Sequence, residues 1–203
     1  GLATSGALTA WICDLTGADY PVLLAEAADS PPGANGLSML PYFAGERTPI
    51  LDPDARGVIA GLTLRHTRGD LYRAALEATA LAVRHNVETM RAAGADIRRI
   101  VAVGGGTQGE LWMQIVSDAT GPVQEVPTTT IGASFGAAIL ARAAVDPAVD
   151  PRRSDAWNPI VTTVHPDPSV AAVYDEMFAQ YLRLYAGTKE LVHDLSRGRG
   201  DRA

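Results

Sequence analysis

Between Arg99 and Gly121 the chain reads IVAV, then GGGTQG, then ELWMQIVSDATG. Ile100 to Val103 is a short run rich in β-branched side chains, which reads as a buried strand. Gly104, Gly105 and Gly106 remove every side chain for three positions, so the backbone can turn sharply and a ligand can approach it. Thr107 with Glu110 three residues later reads as a capping box, and Leu111, Ile115 and Val116 give the following helix an apolar stripe. A strand, a glycine turn and a helix start favour an anion, because free N–H groups and the helix dipole point at it. A tight turn that needs glycine only for positive φ fits the same letters. So does a dinucleotide turn: Gly104, Gly106 and Gly109 satisfy G-x-G-x-x-G, and Glu125 stands near the offset of a ribose-binding acid.

Composition narrows the field without deciding it. The 203 residues are 47% hydrophobic and 20% charged, ordinary for one globular core with appendages. A net charge of −6 offers no basic field for nucleic acid or an anionic membrane. The single cysteine, Cys13, excludes an internal disulfide, fits a reducing compartment and reads as a small buried hydrophobe. No run approaches about 18 apolar residues and no signal peptide is visible, so a cytoplasmic protein is expected. The chain opens on Gly1 instead of Met, which points to a fragment or a processed product.

Periodicity supplies the remaining elements. Leu2 to Leu15 reads as a helix stopped by Gly17, and Val22 to Ala28 as a second, ended by Pro31-Pro32-Gly33. Leu37 to Phe43 and Val58 to Leu64 read as strands, with Pro41 limiting the pairing of the first. Between them lies a long polar loop, Gly45 to Gly57, with two prolines and five charges; loops of that kind are seldom idle. From Gly69, with Asp70 as N-cap, apolar residues cover two faces of a helix that Gly94 ends, which makes it the central helix. Val123 to Val126 reads as a strand and Gly132 to Val145 as a helix of small residues. The five prolines from Asp146 to Pro168 suggest surface loop. Ser169 to Leu195 reads as an amphipathic helix whose aromatics, Tyr174, Phe178, Tyr181 and Tyr185, belong to the core. Ser196 to Ala203 reads as a frayed tail. The order implies an α/β domain with helices against a small mixed sheet.

A family resemblance emerges from these residues. GVIAGLTLRHTRGDLYRAALE, Gly57 to Glu77, resembles the second signature of the FGGY family of carbohydrate kinases in Gly57, Ile59, Gly61, Asp70-Leu71, Ala74 and Glu77. The preceding GERTPILDPDARG is similar to the xylulokinase-like branch. The glycine turn before a helix and IGASFGAAILA also fit, so the motifs run in order from Gly6 to near Tyr185.

The resemblance implies the C-terminal domain of a two-domain kinase with the actin-like ATPase, ribonuclease H-like fold, here residues 1–195. ATP would lie between the domains, with adenosine on this side and sugar on the other. Gly104, Gly105, Gly106, Thr107, Gln108 and Gly109 would line the nucleotide site, with Gly6 on its opposite wall. Gly109 and Ala10 stand where some relatives carry Asn and a polar residue, implying fewer side-chain bonds to adenosine. The family's general base is an Asp upstream of this chain, together with an N-terminal phosphate loop. Without them the chain is expected to bind nucleotide weakly and not to turn over.

The implied cofactors are ATP and Mg²⁺, and the implied partners are a sugar such as the ketopentose xylulose and the chain's own N-terminal domain, with a homodimer as one option. In the polar loop, Glu46, Arg47, Asp52, Asp54 and Arg56 are candidates for closing on substrate or Mg-ATP; a solvated loop whose charges pair with one another is the other reading. His66 and His85 read as structural. Two further readings stay open. One is an NAD-dependent oxidoreductase built on the G-x-G-x-x-G string, disfavoured because only one more strand and helix follow. The other is a non-catalytic ATP-binding regulator of the same fold.

Overall fold

Small and apolar side chains on two faces of the segment after Arg68 demand neighbours on both sides, and the computed structural model provides them. The structure describes residues 4–151 and 157–198. In chain order it runs α1 (Gly6–Thr16), α2 (Tyr20–Asp29), β1 (Ser38–Leu40), β2 (Val58–Ala60), α3 (Arg68–Ala92), β3 (Arg99–Val101), α4 (Glu110–Thr120), β4 (Val123–Pro127), α5 (Gly132–Val145), β5 (Ile160–Val164) and α6 (Ala171–Arg197). Helix α3 is the centre, as its pattern requires: Tyr72 through Ala82 is buried without a break. It packs on α2 and α4, with α1, β1 and α6 completing the surround. Gly69 permits the α2 contact, because a Cβ there would stand 2.7 Å from the Glu26 carbonyl oxygen.

The start of α3 differs from expectation. Its N-cap is Thr67, whose hydroxyl accepts the Asp70 N–H at 3.2 Å while the Asp70 carboxylate accepts the Thr67 N–H at 2.8 Å. Asp70 is therefore the third helical residue, the first-turn partner of a reciprocal capping box, and not the cap itself. The end of the chain is also more helical than expected. Pro168–Val170 forms one 3₁₀ turn before α6 begins at Ala171, and α6 carries Ser196 and Arg197. Tyr174 and Tyr181 are fully buried, so the aromatic stripe is core. The expected helix start at Leu2, the loop centre at 152–156 and the tail at 199–203 lie outside the described residues.

The strands form two small sheets flanked by helices. β1 and β2 pair antiparallel, Ser38 opposite Ala60. They are shorter than the Leu37–Phe43 and Val58–Leu64 runs suggest, since Pro41 and positive-φ Gly61 interrupt both. In the second sheet β3 and β4 are parallel, Arg99 opposite Val123, and β5 is antiparallel to β4, Gln124 opposite Val164. β5 corrects the reading of Asp146 to Pro168 as loop: Ile160 to Val164 is all β-branched and pairs despite the prolines around it. A β5 antiparallel to β4 also ends the parallel run that a doubly wound dinucleotide domain would continue. β3 is not buried. Helix α4 covers one sheet face, and the other opens on a groove of about 350 Å³ lined by Arg99, Val101, Val103, Phe135, Ile139 and Ile160. Val101 and Val103 remain 46% and 48% exposed. Among the described residues no helix is long and apolar enough to cross a membrane.

Candidate functional site

β3 ends in the glycine turn, and each glycine there does something different. Gly104 takes φ 94° and ψ −175°, a backbone region nearly closed to other residues, and its N–H donates to the Thr130 carbonyl at 2.6 Å. Gly106 lies under Trp112, where an added Cβ would stand 2.4 Å from the indole ring. The Trp112 Nε1–H donates to the Thr79 hydroxyl at 2.9 Å, which fastens this packing to α3. Gly109 has ordinary contacts and extended backbone. Gly105 is the freest of the four: its φ is not positive and a Cβ there would meet nothing within 4 Å. Neither backbone strain nor packing requires glycine at 105.

The turn itself is a single 3₁₀ segment, Gly105–Gln108, and α4 begins after Gly109. Thr107 therefore does not cap α4. Its hydroxyl donates to the Gly104 carbonyl at 2.8 Å and closes the turn, and the N-terminus of α4 has no side-chain cap. The next β-to-α connection, Thr128 to Ile131, also delivers an uncapped helix, α5. Two helix starts with unsatisfied N–H groups thus follow the parallel strands β3 and β4, beside an open glycine turn. Gly104, Gly105, Gly106 and Gln108 are exposed there.

One acid that the G-x-G-x-x-G reading needs is already engaged. Glu125 is not a free ribose acid: it lies opposite Val101 in the β3–β4 ladder and its carboxylate takes the Arg99 guanidinium at 2.7 Å. Gly6, expected on the opposite wall, opens α1, which packs on α3.

The polar loop is held at its base. Glu46 and Asp52 exchange backbone hydrogen bonds at 2.9 and 2.7 Å, and between them Arg47, Thr48 and Leu51 stand exposed. Asp52 is buried and pairs outside the loop, with His193 and Tyr185 of α6. Burial opposes its ionisation, but the Tyr185 and His193 bonds hold its carboxyl below the usual range. Glu46 is buried and its Oε1 accepts the Arg47 N–H at 2.8 Å. Asp54 is half-buried, and Arg56 donates to Pro53, Ala55 and Ser196. At the tip, the Asn86 amide donates to the Thr48 carbonyl at 3.2 Å. Asn86 is seven residues beyond Thr79, so the loop and Trp112, the ring that covers Gly106, meet one face of α3 about 10 Å apart along its axis.

The remaining titratable groups serve the core. Arg73 donates to Glu77 at 2.9 Å, to the Ser30 carbonyl and to the Tyr174 hydroxyl, and Glu77 also accepts the Gly33 N–H. Burial pushes the Glu77 carboxyl above its usual range against these donors. Asp70 is desolvated too, yet bonds from Ser30, Thr67 and Asn35 hold it down to about 2. His66 is bound in the Thr63–His66 turn, and His85 lies edge-on to Phe178 and Tyr181, with burial lowering its pKa. Both are structural. Sequence reasoning missed Tyr185 and His193; their only local signal is a stripe, Tyr185, Lys189, Val192, His193, at helical spacing.

Comparison with known proteins places this architecture. Residues 1–145 match the model of the FGGY family of carbohydrate kinases, C-terminal domain. A xylulose kinase of Escherichia coli K12 is 33% identical over 177 residues, covering 86% of the chain and 37% of that enzyme. A ribulokinase of Mycolicibacterium smegmatis is 34% identical over 168 residues, covering 78% of the chain and 29% of the relative. The crystal structure of xylulose kinase from Rhodospirillum rubrum superposes with a TM-score of 0.84 at 34% identity, over 95% of this chain and 40% of that one. The chain thus spans well under half the length of the relatives it matches.

Proposed function

The chain belongs to the FGGY family of carbohydrate kinases, and on that premise we propose that it supplies the adenosine-binding half of a cytoplasmic enzyme that transfers the γ-phosphoryl group of ATP to a sugar hydroxyl. The substrate class is a ketopentose such as xylulose, the sugar named in the E. coli and R. rubrum relatives. The observation that carries the nucleotide reading is Gly105. The turn needs Gly104 for its backbone and Gly106 for Trp112, but nothing inside the chain needs Gly105. A side chain missing where the protein has no use for its absence is explained by a ligand that must come close.

In this account Gly104 to Gly109 form the floor of the nucleotide site, and the uncapped starts of α4 and α5 favour its negative charge. The sugar and the base that takes its hydroxyl proton belong to an N-terminal domain, as does the rest of the phosphate clamp. The apolar surface on the open side of β3 and α5 is suited to cover by such a domain. Mg²⁺ would neutralise charge on the transferring phosphates. Among the described residues no three His, Cys, Asp or Glu side chains cluster to hold a metal, so no step is assigned to it in this chain. In this account the loop's Arg47, which is exposed, approaches substrate.

The test is phosphoryl transfer from labelled ATP to a panel of pentoses, polyols and hexoses, with this chain alone and joined to an N-terminal sugar-binding half. Transfer to a ketopentose only by the joined protein supports the reading. Transfer to no sugar by a joined, folded protein removes it.

A further inference from the structure

A buried carboxylate must find donors, and those of Asp52 come from the far end of the chain. Its side chain accepts the Asp54 and Ala55 N–H groups at 3.2 and 3.1 Å within the loop. From α6 it accepts the Tyr185 hydroxyl at 2.6 Å and His193 Nε2 at 2.9 and 2.8 Å from its two oxygens. Because a carboxylate only accepts, Nε2 carries the proton of the His193 ring. A second tie runs beside the first: Arg56 donates to the Ser196 hydroxyl at 2.5 Å. Lys189 lies over the Tyr185 ring, 5.5 Å from its centroid. These α6 residues, Tyr185, Lys189, His193 and Ser196, recur at helical spacing, so one face of the last helix reads the loop. That helix lies beyond residues 1–145, where the family match ends.

We propose that Tyr185 and His193 are positioning residues for the Gly45–Gly57 loop, fixing through Asp52 the height and angle of the tip that carries Arg47 and Thr48. The proposal rests on the kinase reading for what the loop does at the cleft; the anchor itself stands on the contacts above. The loop is built to transmit such an anchor. Asp52 is at once the bonded side chain and one of the two backbone partners that close the tip, opposite Glu46. Gly45 brings the loop's two strands together, since a Cβ there would stand 2.7 Å from the Pro53 carbonyl oxygen. Moving Asp52 therefore moves the tip, while α3, which meets the loop through the Asn86 amide, keeps its own core.

The experiment is residue-resolved amide hydrogen exchange on the purified chain and on His193→Ala, His193→Gln and Tyr185→Phe. In His193→Ala the Asp52 and Ala55 amides are expected to exchange about tenfold faster, the effect of one charge-assisted hydrogen bond, with α3 amides unchanged. Glutamine, whose amide nitrogen can also donate to Asp52, should restore much of the protection, and Tyr185→Phe should raise exchange about threefold, as loss of a weaker bond would. Unchanged loop exchange in His193→Ala, equal loss in α3 and loop, or a glutamine no better than alanine overturns the proposal. Mg-ADP titration of the unaltered chain separates the two readings: absent nucleotide binding counts against the kinase half and leaves the exchange result standing.

Discussion

Helix α3 and helix α5 are both rich in alanine, yet the structure treats them in opposite ways. α3 buries nearly its whole first half, and even its charged residues are satisfied there: Asp70 by Ser30, Asn35 and Thr67, Arg73 by Glu77. α5 buries one side chain, Ile139. Around it Ile131, Leu140, Val145 and Val161 stay exposed, beside an open groove on the sheet. The contrast separates a finished core from a surface shaped for something else. Small residues in α3 bring α2 close, as Gly69 does; small residues in α5 leave room. In the kinase account that room belongs to the rest of the enzyme, and the nucleotide turn sits on the border between the two regions.

Breaking the finished side should cost most. Arg73→Met strands a buried carboxylate at Glu77, and the loss is expected to be about 3–5 kcal/mol, read by urea unfolding. A loss below about 1 kcal/mol would mean that the α3 network is not what holds the core. Asp70→Asn comes next. The folded pKa of Asp70, about 2, lies below its ordinary 3.8, so its contribution is complete above the ordinary value and fades as pH falls towards 2. The difference amounts to on the order of 2 kcal/mol, and the asparagine variant should flatten the acid limb of a stability–pH curve. Glu77 has the opposite sign: its raised pKa makes its share of stability decline as pH climbs through the folded value. On the open side the effects should be small. Ile131→Lys and Val161→Lys are expected to change the stability of this chain by less than about 0.5 kcal/mol, while weakening its association with a sugar-binding half in a pull-down titration. A large loss of stability in either would show that this face is part of the chain's own core.

How much of this was legible in the sequence follows the same divide. α3 was readable because an apolar pattern on two faces admits one solution, a central helix, and the aromatic stripe of α6 told the same story. Asp70 reads as the α3 cap from charge and position alone, whereas Thr67-x-x-Asp70 is a reciprocal signature that puts the cap at Thr67. Thr107-x-x-Glu110 looked like another such signature, but the Thr107 hydroxyl is spent on the Gly104 carbonyl, and α4 starts uncapped. β5 was hidden by prolines, which mark where a strand stops and not where none exists. Glu125 matched an offset, and only strand register reveals that Arg99 holds it. The Asp52–His193 contact spans 141 positions and leaves no local pattern. The glycine string was the clearest signal, yet its letters do not say which glycine is structural. That required the backbone angle at Gly104 and the indole over Gly106.

The central claim, that Gly105 is glycine for the sake of a nucleotide, is tested by calorimetric titration of this chain and of Gly105→Val with Mg-ADP and, separately, with NAD⁺. Because a Cβ at 105 meets nothing within 4 Å, the valine chain should keep its fold and melting temperature. The account predicts that Mg-ADP binds the unaltered chain, that valine abolishes this binding, and that NAD⁺ does not bind. Mg-ADP binding that survives the valine, or tight NAD⁺ binding at the turn, would contradict it.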